Sequence, residues 1–448
     1  MKKHSSILNS TQNYVLGIDL GTSKIVTLIA ELTQGNSVRI IDVKDIASQG
    51  MHRGNIVNLE QVVACVKQVS SQILRDNNLI VSDMKAIVAT FNAENCTNII
   101  SKGVVPIAQG STDSIVTEDD VENAIKRALD NLKLNQTLRS NTLLTVAHNI
   151  PIAYTIDGDR DVANPVGMLA TQLEVTLLSV AVPKPCLRDI ANCMEHAGLP
   201  LHALLFKPLA TSLGVPRQEA SVADNLILDI GAGTTDIAIF SNKKPSYFAC
   251  VPFGGNDISH DISVVERLPQ YKAEEIKQTI PLTNDVKEGD NISFDLGGRS
   301  YNLDKQKLQA IIGARIDSII AEKVKPILAN SNSSPERVLL TGGVSRTRGV
   351  ENLVAGILDM PCRRILPTLG DQLVREKCNE GYVTAIGILK YIEARANSRN
   401  AYVDNLVGLG LLPWRLYKKG VYSQGQEDNY EDNDSFWKSM TSLWKSMF

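Results

Sequence analysis

No CxxC and no HExxH pair occurs in the 448 residues, and no apolar run approaches the roughly eighteen needed to cross a bilayer. Seven cysteines are scattered at 65, 96, 186, 193, 250, 362 and 378, which points to reduced thiols in a cytosol rather than a disulfide framework. His196 and His202 lie close in sequence but at no metal-ligand spacing, so structural roles are expected for them. A net charge of −3 gives no reason to expect nucleic acid as a partner. The opening "MKKHSSILNSTQN" has lysines but no apolar core, so secretion is not expected. A Walker loop is also missing, because GxxxxGK[ST] is not found.

A repeated design is present instead. "YVLGIDLGTSKIVTLIAEL" (14–32) reads as strand, glycine turn and strand, followed by the strand "VRIIDVKDIAS" and the helix "NLEQVVACVKQVSSQIL". "NLILDIGAGTTDIAIF" (225–240) repeats the strand–turn–strand pattern, followed by the strand "SYFACVPFGG" and the helix "NDISHDISVVERL". Repetition on this scale predicts two related domains facing each other across a cleft.

The turns carry the chemistry. In "GIDLGTSK", Asp19 ends a strand and Gly21 folds the backbone back, and Thr22, Ser23 and Lys24 then offer amides, hydroxyls and a cation. Concavities of backbone N–H groups bind anions, and glycine removes the Cβ that would block close approach. Asp229, Gly231, Gly233, Thr234, Thr235 and Asp236 repeat these parts. Asp19 and Asp229 are expected to hold Mg²⁺ through waters, since that ion keeps much of its hydration shell. In "RVLLTGGVSRTRGVENL" (337–353), Gly342 and Gly343 would let a flat base or ribose lie against the backbone. An ordinary turn is the alternative for each motif alone, but three in this order predict a nucleotide site.

These motifs resemble the phosphate 1, phosphate 2 and adenosine motifs of the actin–Hsp70–hexokinase superfamily. The resemblance implies an α/β, actin-like two-domain ATPase fold binding ATP with Mg²⁺. It carries Gly255 of "VPFGGNDISHDIS" and Ser345 of "GGVSR" into the expected nucleotide site. "YKAEEIKQTI" resembles the AExxK helix of bacterial actins, which implies ribose and adenine contacts for Glu274 and Lys277. A solvated helix pair is the alternative for those two residues.

Between the repeats, "VTEDDVENAIKRA", "VAHNIPIAYTID" and "NPVGM" read as a small α+β insertion, with Thr117 capping its helix. These stretches resemble the 1C (SHS2-like) subdomain of the FtsA family of actin-like cell-division proteins, and the resemblance covers roughly 14–412 and the tail. "FNAEN" (91–95) departs from the family pattern near the start of 1C. The implied organisation is 14–86 as the first part of subdomain 1A, 87–170 as 1C, and 171–382 as domain 2 with 2B at about 241–312. Residues 383–412 would return to 1A, 413–434 form a flexible linker, and 435–448 form a C-terminal amphipathic helix.

That final segment, "SFWKSMTSLWKSMF", concentrates two of the three tryptophans. Phe436, Trp437, Met440, Leu443, Trp444, Met447 and Phe448 fall on one helical stripe, with Lys438 and Lys445 among polar residues opposite. The preceding linker holds five acids between 427 and 434 and shows no periodicity. Docking on the protein's own core is one reading of the tail. Trp and Lys beside a polar linker favour the second, a helix lying flat in a membrane interface, with Lys445 reaching anionic lipid.

The resemblance implies a peripheral protein on the cytoplasmic face of the bacterial inner membrane, at the division site. It would polymerise with itself, bind the FtsZ C-terminal tail, contact anionic inner-membrane lipids and help recruit later division proteins. "LQAIIGARIDSII" makes Arg315 the candidate for a carboxylate of that tail. In many bacterial actins "EPxAAxxG" supplies a glutamate that positions water, but "KPLATSLG" (207–214) puts Lys207 there. A charged lysine cannot accept a proton, so hydrolysis is expected to be slow at most. A PilM-like pilus adaptor and a sugar kinase of the same superfamily are the alternatives.

Overall fold

The computed structural model describes residues 13–33, 35, 37–107, 114–220, 223–367 and 376–396. Two five-stranded sheets organise the chain. The first runs in the order Ala203–Phe206, Met84–Phe91, Tyr14–Leu20, Lys24–Leu32, Val38–Ala47. The second runs Cys362–Arg364, Arg337–Thr341, Asn225–Ile230, Thr235–Ser241, Lys244–Val251. Each has an antiparallel three-strand meander on one side and two parallel strands on the other. The repeat in the sequence is therefore a repeat of topology, with Asp19 and Asp229 in equivalent strands. The fold is actin-like.

The strands at the centre of each sheet are buried on both faces, so they read as continuous apolar runs rather than alternations. Helix Leu59–Asp76 starts at Asn58, whose side chain accepts from the amide of Gln61, and it buries Val62, Val66, Val69 and Ile73 against the first sheet. Helix Lys207–Gly214 is buried on nearly every side, as is helix Val383–Ala396. A helix apolar all round belongs in an interior. These two touch backbone to backbone: a Cβ on Gly387 would lie 1.7 Å from the carbonyl oxygen of Ala210.

The insertion forms a four-stranded antiparallel sheet, Arg160–Val162, Leu144–Ile156, Gln172–Pro183, Thr97–Pro106, covered by helix Glu118–Lys133. Thr117 caps that helix by accepting from the amide of Asp120, whose carboxylate accepts in return from the Thr117 amide. Gly103 admits the helix, since a Cβ there would lie 2.1 Å from the oxygen of Ala124.

The boundaries drawn at 86/87 and 170/171 shift in the structure. Strand Met84–Phe91 pairs in parallel with Tyr14–Leu20 in the first sheet, so the insertion begins after it. Strand Gln172–Pro183 completes the inserted sheet, and the chain re-enters the first sheet at Ala203–Phe206 before the second sheet starts at Asn225. A buried parallel strand has no alternation to distinguish it from an inserted one, which is why the sequence misplaced these edges.

Asn98 joins the insertion to the second sheet. Its Nδ2 donates to the oxygen of Phe248 at 2.7 Å, and its Oδ1 accepts from the amide of Phe248 at 2.9 Å. Phe248 lies on the edge strand of that sheet.

The linker at 413–434 and the helix expected at 435–448 lie outside the described residues, as does 397–412. None of the described helices is long and apolar enough to cross a membrane.

Candidate nucleotide cleft

The two Asp–Gly turns face each other. The amide of Gly21 donates to the oxygen of Lys24 at 3.1 Å, and the amide of Gly231 donates to that of Thr234 at 2.9 Å, so each repeat closes the same tight loop. The loops are in contact: a Cβ on Gly233 would lie 2.6 Å from Oγ1 of Thr22. Around them opens a cleft of about 550 Å³, within the range of small-molecule sites.

Of the residues expected at a nucleotide site, Asp19, Gly21, Thr22, Ser23, Lys24, Asp229, Gly231, Gly233, Thr234 and Asp236 line this cleft. Gly255, Glu274, Lys277, Gly342 and Gly343 complete the lining from that set. Thr235 and Ser345 do not. Alternation along the strand sends Thr235 to the opposite face from its neighbours, where its hydroxyl donates to the oxygen of Phe253 at 2.9 Å. The hydroxyl of Ser345 turns back to the oxygen of Gly342 at 2.7 Å and is fully buried.

Gly342 is required by conformation as well as space. Its φ is +86°, and a Cβ would lie 2.2 Å from Oδ1 of Asp229. On the opposite wall Lys277 Nζ is 2.6 Å from Oε2 of Glu274 and donates to the oxygen of Gly255 at 2.9 Å. Burial lowers the pKa of Lys277 despite Glu274, while Lys277 holds Glu274 below its ordinary value against the effect of burial. The difference follows exposure, 11% for the lysine side chain and 37% for the glutamate.

The cleft also gathers residues that the motifs did not point to. Lys24 Nζ stands 3.3 Å from the ring centroid of Tyr382, whose hydroxyl donates to Oδ1 of Asp45 at 2.8 Å. Burial lowers the pKa of Lys24, with Asp45 and Asp19 opposing it. Arg346, Thr347, Asn379, Gly381 and Gln278 also line the cleft. Arg346 could have been found as the cation two turn residues beyond the paired glycines, whereas nothing local marks Tyr382.

At the floor, three carboxylates surround one ammonium. Lys207 Nζ is 2.9 Å from Oδ1 of Asp19, both side chains being 10% exposed. Thr90 Oγ1 donates to the same Oδ1 at 2.7 Å. Oδ2 of Asp229 accepts from Thr384 at 2.8 Å and Thr211 at 3.3 Å. Asn92 donates to Oδ1 of Asp236 at 2.9 Å. Burial opposes the Lys207 charge, but Asp19, then Asp236 and Asp229 outweigh it and hold its pKa above the usual lysine value. Burial pushes Asp229 up, and burial with Asp229 beside it pushes Asp236 well above the carboxylate range.

The floor leaves an oxygen on each of the two carboxylates, Asp19 and Asp229, that were expected to hold Mg²⁺ through waters. Oδ1 of Asp19 is taken by Thr90 and Lys207 and Oδ2 of Asp229 by Thr384, so the other oxygen of each would be the one to accept from metal-bound water. Among the described residues no group of three or more His, Cys, Asp or Glu is placed to hold a metal ion.

Arg315 lies away from the cleft on helix Lys305–Asp317, and its fork is closed on Asp261, with Nε to Oδ2 at 2.6 Å and Nη2 to Oδ1 at 2.8 Å. His202 Nδ1 accepts from the amide of Ile87 at 3.0 Å, a structural role.

Duplicated sheets of this topology, facing glycine turns and a cleft between them define an actin-like protein. In overall shape it is similar to a protein of the "PilM-PilN type IV pilus biogenesis complex", with a TM-score of 0.55 at 16% identity over 84% of this chain and 97% of that one. Sequence narrows the class. A profile described as "Cell division protein FtsA" matches residues 226–387, and another, "SHS2 domain inserted in FTSA", matches 94–181. The chain is 28% identical to the cell division protein FtsA of Neisseria meningitidis, across 85% of its own length and 91% of that protein. It is 25% identical to FtsA of Borreliella burgdorferi, over 90% of this chain and all of the relative, and 26% identical to FtsA of Escherichia coli K12, over 89% and 95%. The chain belongs to the FtsA family of cell-division proteins, with the SHS2 insertion that marks it.

Proposed function

We propose that this protein binds ATP in the cleft, polymerises on the cytoplasmic face of the inner membrane and anchors FtsZ filaments there through its C-terminal helix, helping to recruit later division proteins. The observation that carries the nucleotide reading is the pair of facing turns beside Lys277, Glu274 and Gly342. The turns offer amides to phosphates, and the glycine and the Lys–Glu pair offer a flat surface and a polar edge to a nucleoside. Family membership supports the division role. A PilM-like adaptor shares the fold, but the tail stretch "FWKSMTSLWKSMF" favours the membrane tether. A sugar kinase would need an aspartate base beside a sugar pocket, and no stretch of the sequence supplies one.

ATP acts here as a structural ligand that supports assembly. Lys207 stands where a water-positioning glutamate would be needed, and Mg²⁺ would accompany the nucleotide, held through waters by Asp19 and Asp229. Turnover is therefore expected to be slow, and fast hydrolysis lost in Asp19→Ala would sink this part. One tail binds lipid reversibly, since interfacial burial of such side chains is partial and each lysine adds only about 1 kcal/mol near anionic lipid. Many tails on one polymer bind far more firmly through effective concentration.

The deciding experiment is co-sedimentation with anionic liposomes in the presence of ATP, comparing the full chain with one ending at Asp434. Pelleting of the full chain alone is expected. Equal behaviour of the two would remove the membrane tether.

A further inference from the structure

Against the two phosphate turns stands a short hairpin, placed between the last strand of the first meander and helix Leu59–Asp76. Met51–His52 pairs with Asn55–Ile56, and the two residues between them, Arg53 and Gly54, have φ of +47° and +77°. Positive φ at both central residues marks the type I′ turn, which favours Asn-Gly. Arginine at the first of these positions holds backbone strain that asparagine largely avoids. The tip is wedged between the two halves of the molecule. Gly54 is buried, its amide donates to Oγ1 of Thr22 at 3.1 Å, and a Cβ on it would lie 3.1 Å from Cγ2 of Thr234. From the same tip Arg53 Nη2 donates to Oδ1 of Asp257 at 3.1 Å, with the guanidinium 5.2 Å from the ring centroid of Phe253. Asp257 lies in the first turn of helix Gly255–Glu266, which is seated on the second phosphate turn. The amides of Gly255 and Asn256 donate to the oxygens of Gly231 and Ala232 at 2.9 and 2.7 Å.

We infer that this hairpin is a clasp that sets how long a nucleotide stays in the cleft, with Arg53 as its positioning residue. The inference rests on the nucleotide reading and deepens it. Because Thr22 accepts from the Gly54 amide, its own hydroxyl hydrogen is left to point at a phosphate oxygen. Because Arg53 crosses from the first half to Asp257 of the second, the two turns cannot part without breaking that pair. A polyphosphate spanning both turns stabilises the same closed arrangement as the pair does, so each favours the other. The arginine side chain is 43% exposed and the aspartate 16%, so the effect is modest and screened by salt.

The test is stopped-flow release of fluorescently labelled ATP from the full chain with Mg²⁺, chased by unlabelled ATP. Arg53→Asn, which restores the preferred turn, should be at least as stable to heat without nucleotide and yet release ATP about three- to fivefold faster. Asp257→Asn keeps an oxygen for the Gly254 amide, should quicken release equally, and carries the test if Arg53→Asn fails to fold. The double substitution should be no faster than either single one, and the gap to the wild type should close at about 1 M salt. Release from both single variants at the wild-type rate, or effects that simply add, overturns the clasp and leaves the nucleotide reading standing. A wild type that binds no labelled ATP overturns both.

Discussion

His148 should make the stability of this protein depend on pH in a way that one substitution removes. Its ring is fully buried where the insertion meets the first sheet, stacked on Phe91 at 6.1 Å between centroids. Nε2 accepts from the amide of Phe206 at 3.0 Å, and Nδ1 has no partner. An imidazole accepting at Nε2 is neutral, and burial lowers its pKa from 6.5 to about 3. Above the unfolded value neither state binds the proton. As pH falls below it, the unfolded chain takes up a proton that the folded chain refuses, so stability is lost progressively until the folded pKa is reached. Each pH unit in that window is worth about 1.4 kcal/mol, so acidification to about pH 5 removes roughly 2 kcal/mol.

Asp236 has the opposite sign. Its raised pKa means that the folded state holds a proton at pH values where the unfolded carboxylate has released it, so this group gains stability as pH falls through its folded pKa. The wild-type curve is the sum of both slopes and can look flat. The informative quantity is the difference between wild type and His148→Gln, which keeps an acceptor for the Phe206 amide but does not titrate. Urea unfolding between about pH 5 and pH 8 should show that difference changing by roughly 2 kcal/mol, against the wild type at low pH. A difference independent of pH refutes the assignment of a buried, neutral His148.

Gly387→Ala should destabilise the fold by about 3 kcal/mol or more, because its Cβ would fall on the Ala210 oxygen. Gly356→Ala, in helix Val350–Leu358 with nothing within 4 Å, should instead gain roughly 0.5–1 kcal/mol, and thermal melting that reverses this order refutes the packing argument. Lys277→Ala is expected to weaken ATP binding by about tenfold in a titration, and an unchanged affinity removes it from the site. If Arg315 receives the FtsZ tail, Arg315→Glu should abolish tail binding and Asp261→Asn, which frees the fork, should strengthen it. Tail affinity indifferent to both would assign Arg315 to the Asp261 pair alone.

The two Asp–Gly turns were legible because glycine and aspartate at a strand end have few other uses, and the repetition supplied a second copy to compare. The helix at Thr117 was legible for a similar reason, since its cap, acidic first turn and periodicity agree. Pairing across sequence distance was not. Nothing in "KPLATSLG" says that Lys207 reaches Asp19, because the contact depends on two strands two places apart in one sheet. Tyr382 is hidden for the same reason, as a residue at the start of a helix whose ring happens to lie under Lys24. Thr235 was a different error: the motif was read as a loop, whereas the strand begins at that residue and its alternation turns the hydroxyl away.

Asn98 gives the molecule a mechanical property. With one side-chain amide it makes the two bonds that another strand would make to the free edge at Phe248, so that edge is closed to foreign strands at this point. The insertion is thereby tied to the first sheet twice through its own chain, and to the second sheet by Asn98, by Cys96, whose Sγ donates to the same Phe248 oxygen at 3.3 Å, and by the packing of Phe248 in one core with Ala147 and Ile150. A rotation that opens the cleft must either break the Asn98 pair, at about 2 kcal/mol for two bonds, or drag the insertion along with it. The wedge between the sheets is thus geared to a domain lying outside it, and whatever sits in the wedge has a say in where that domain points.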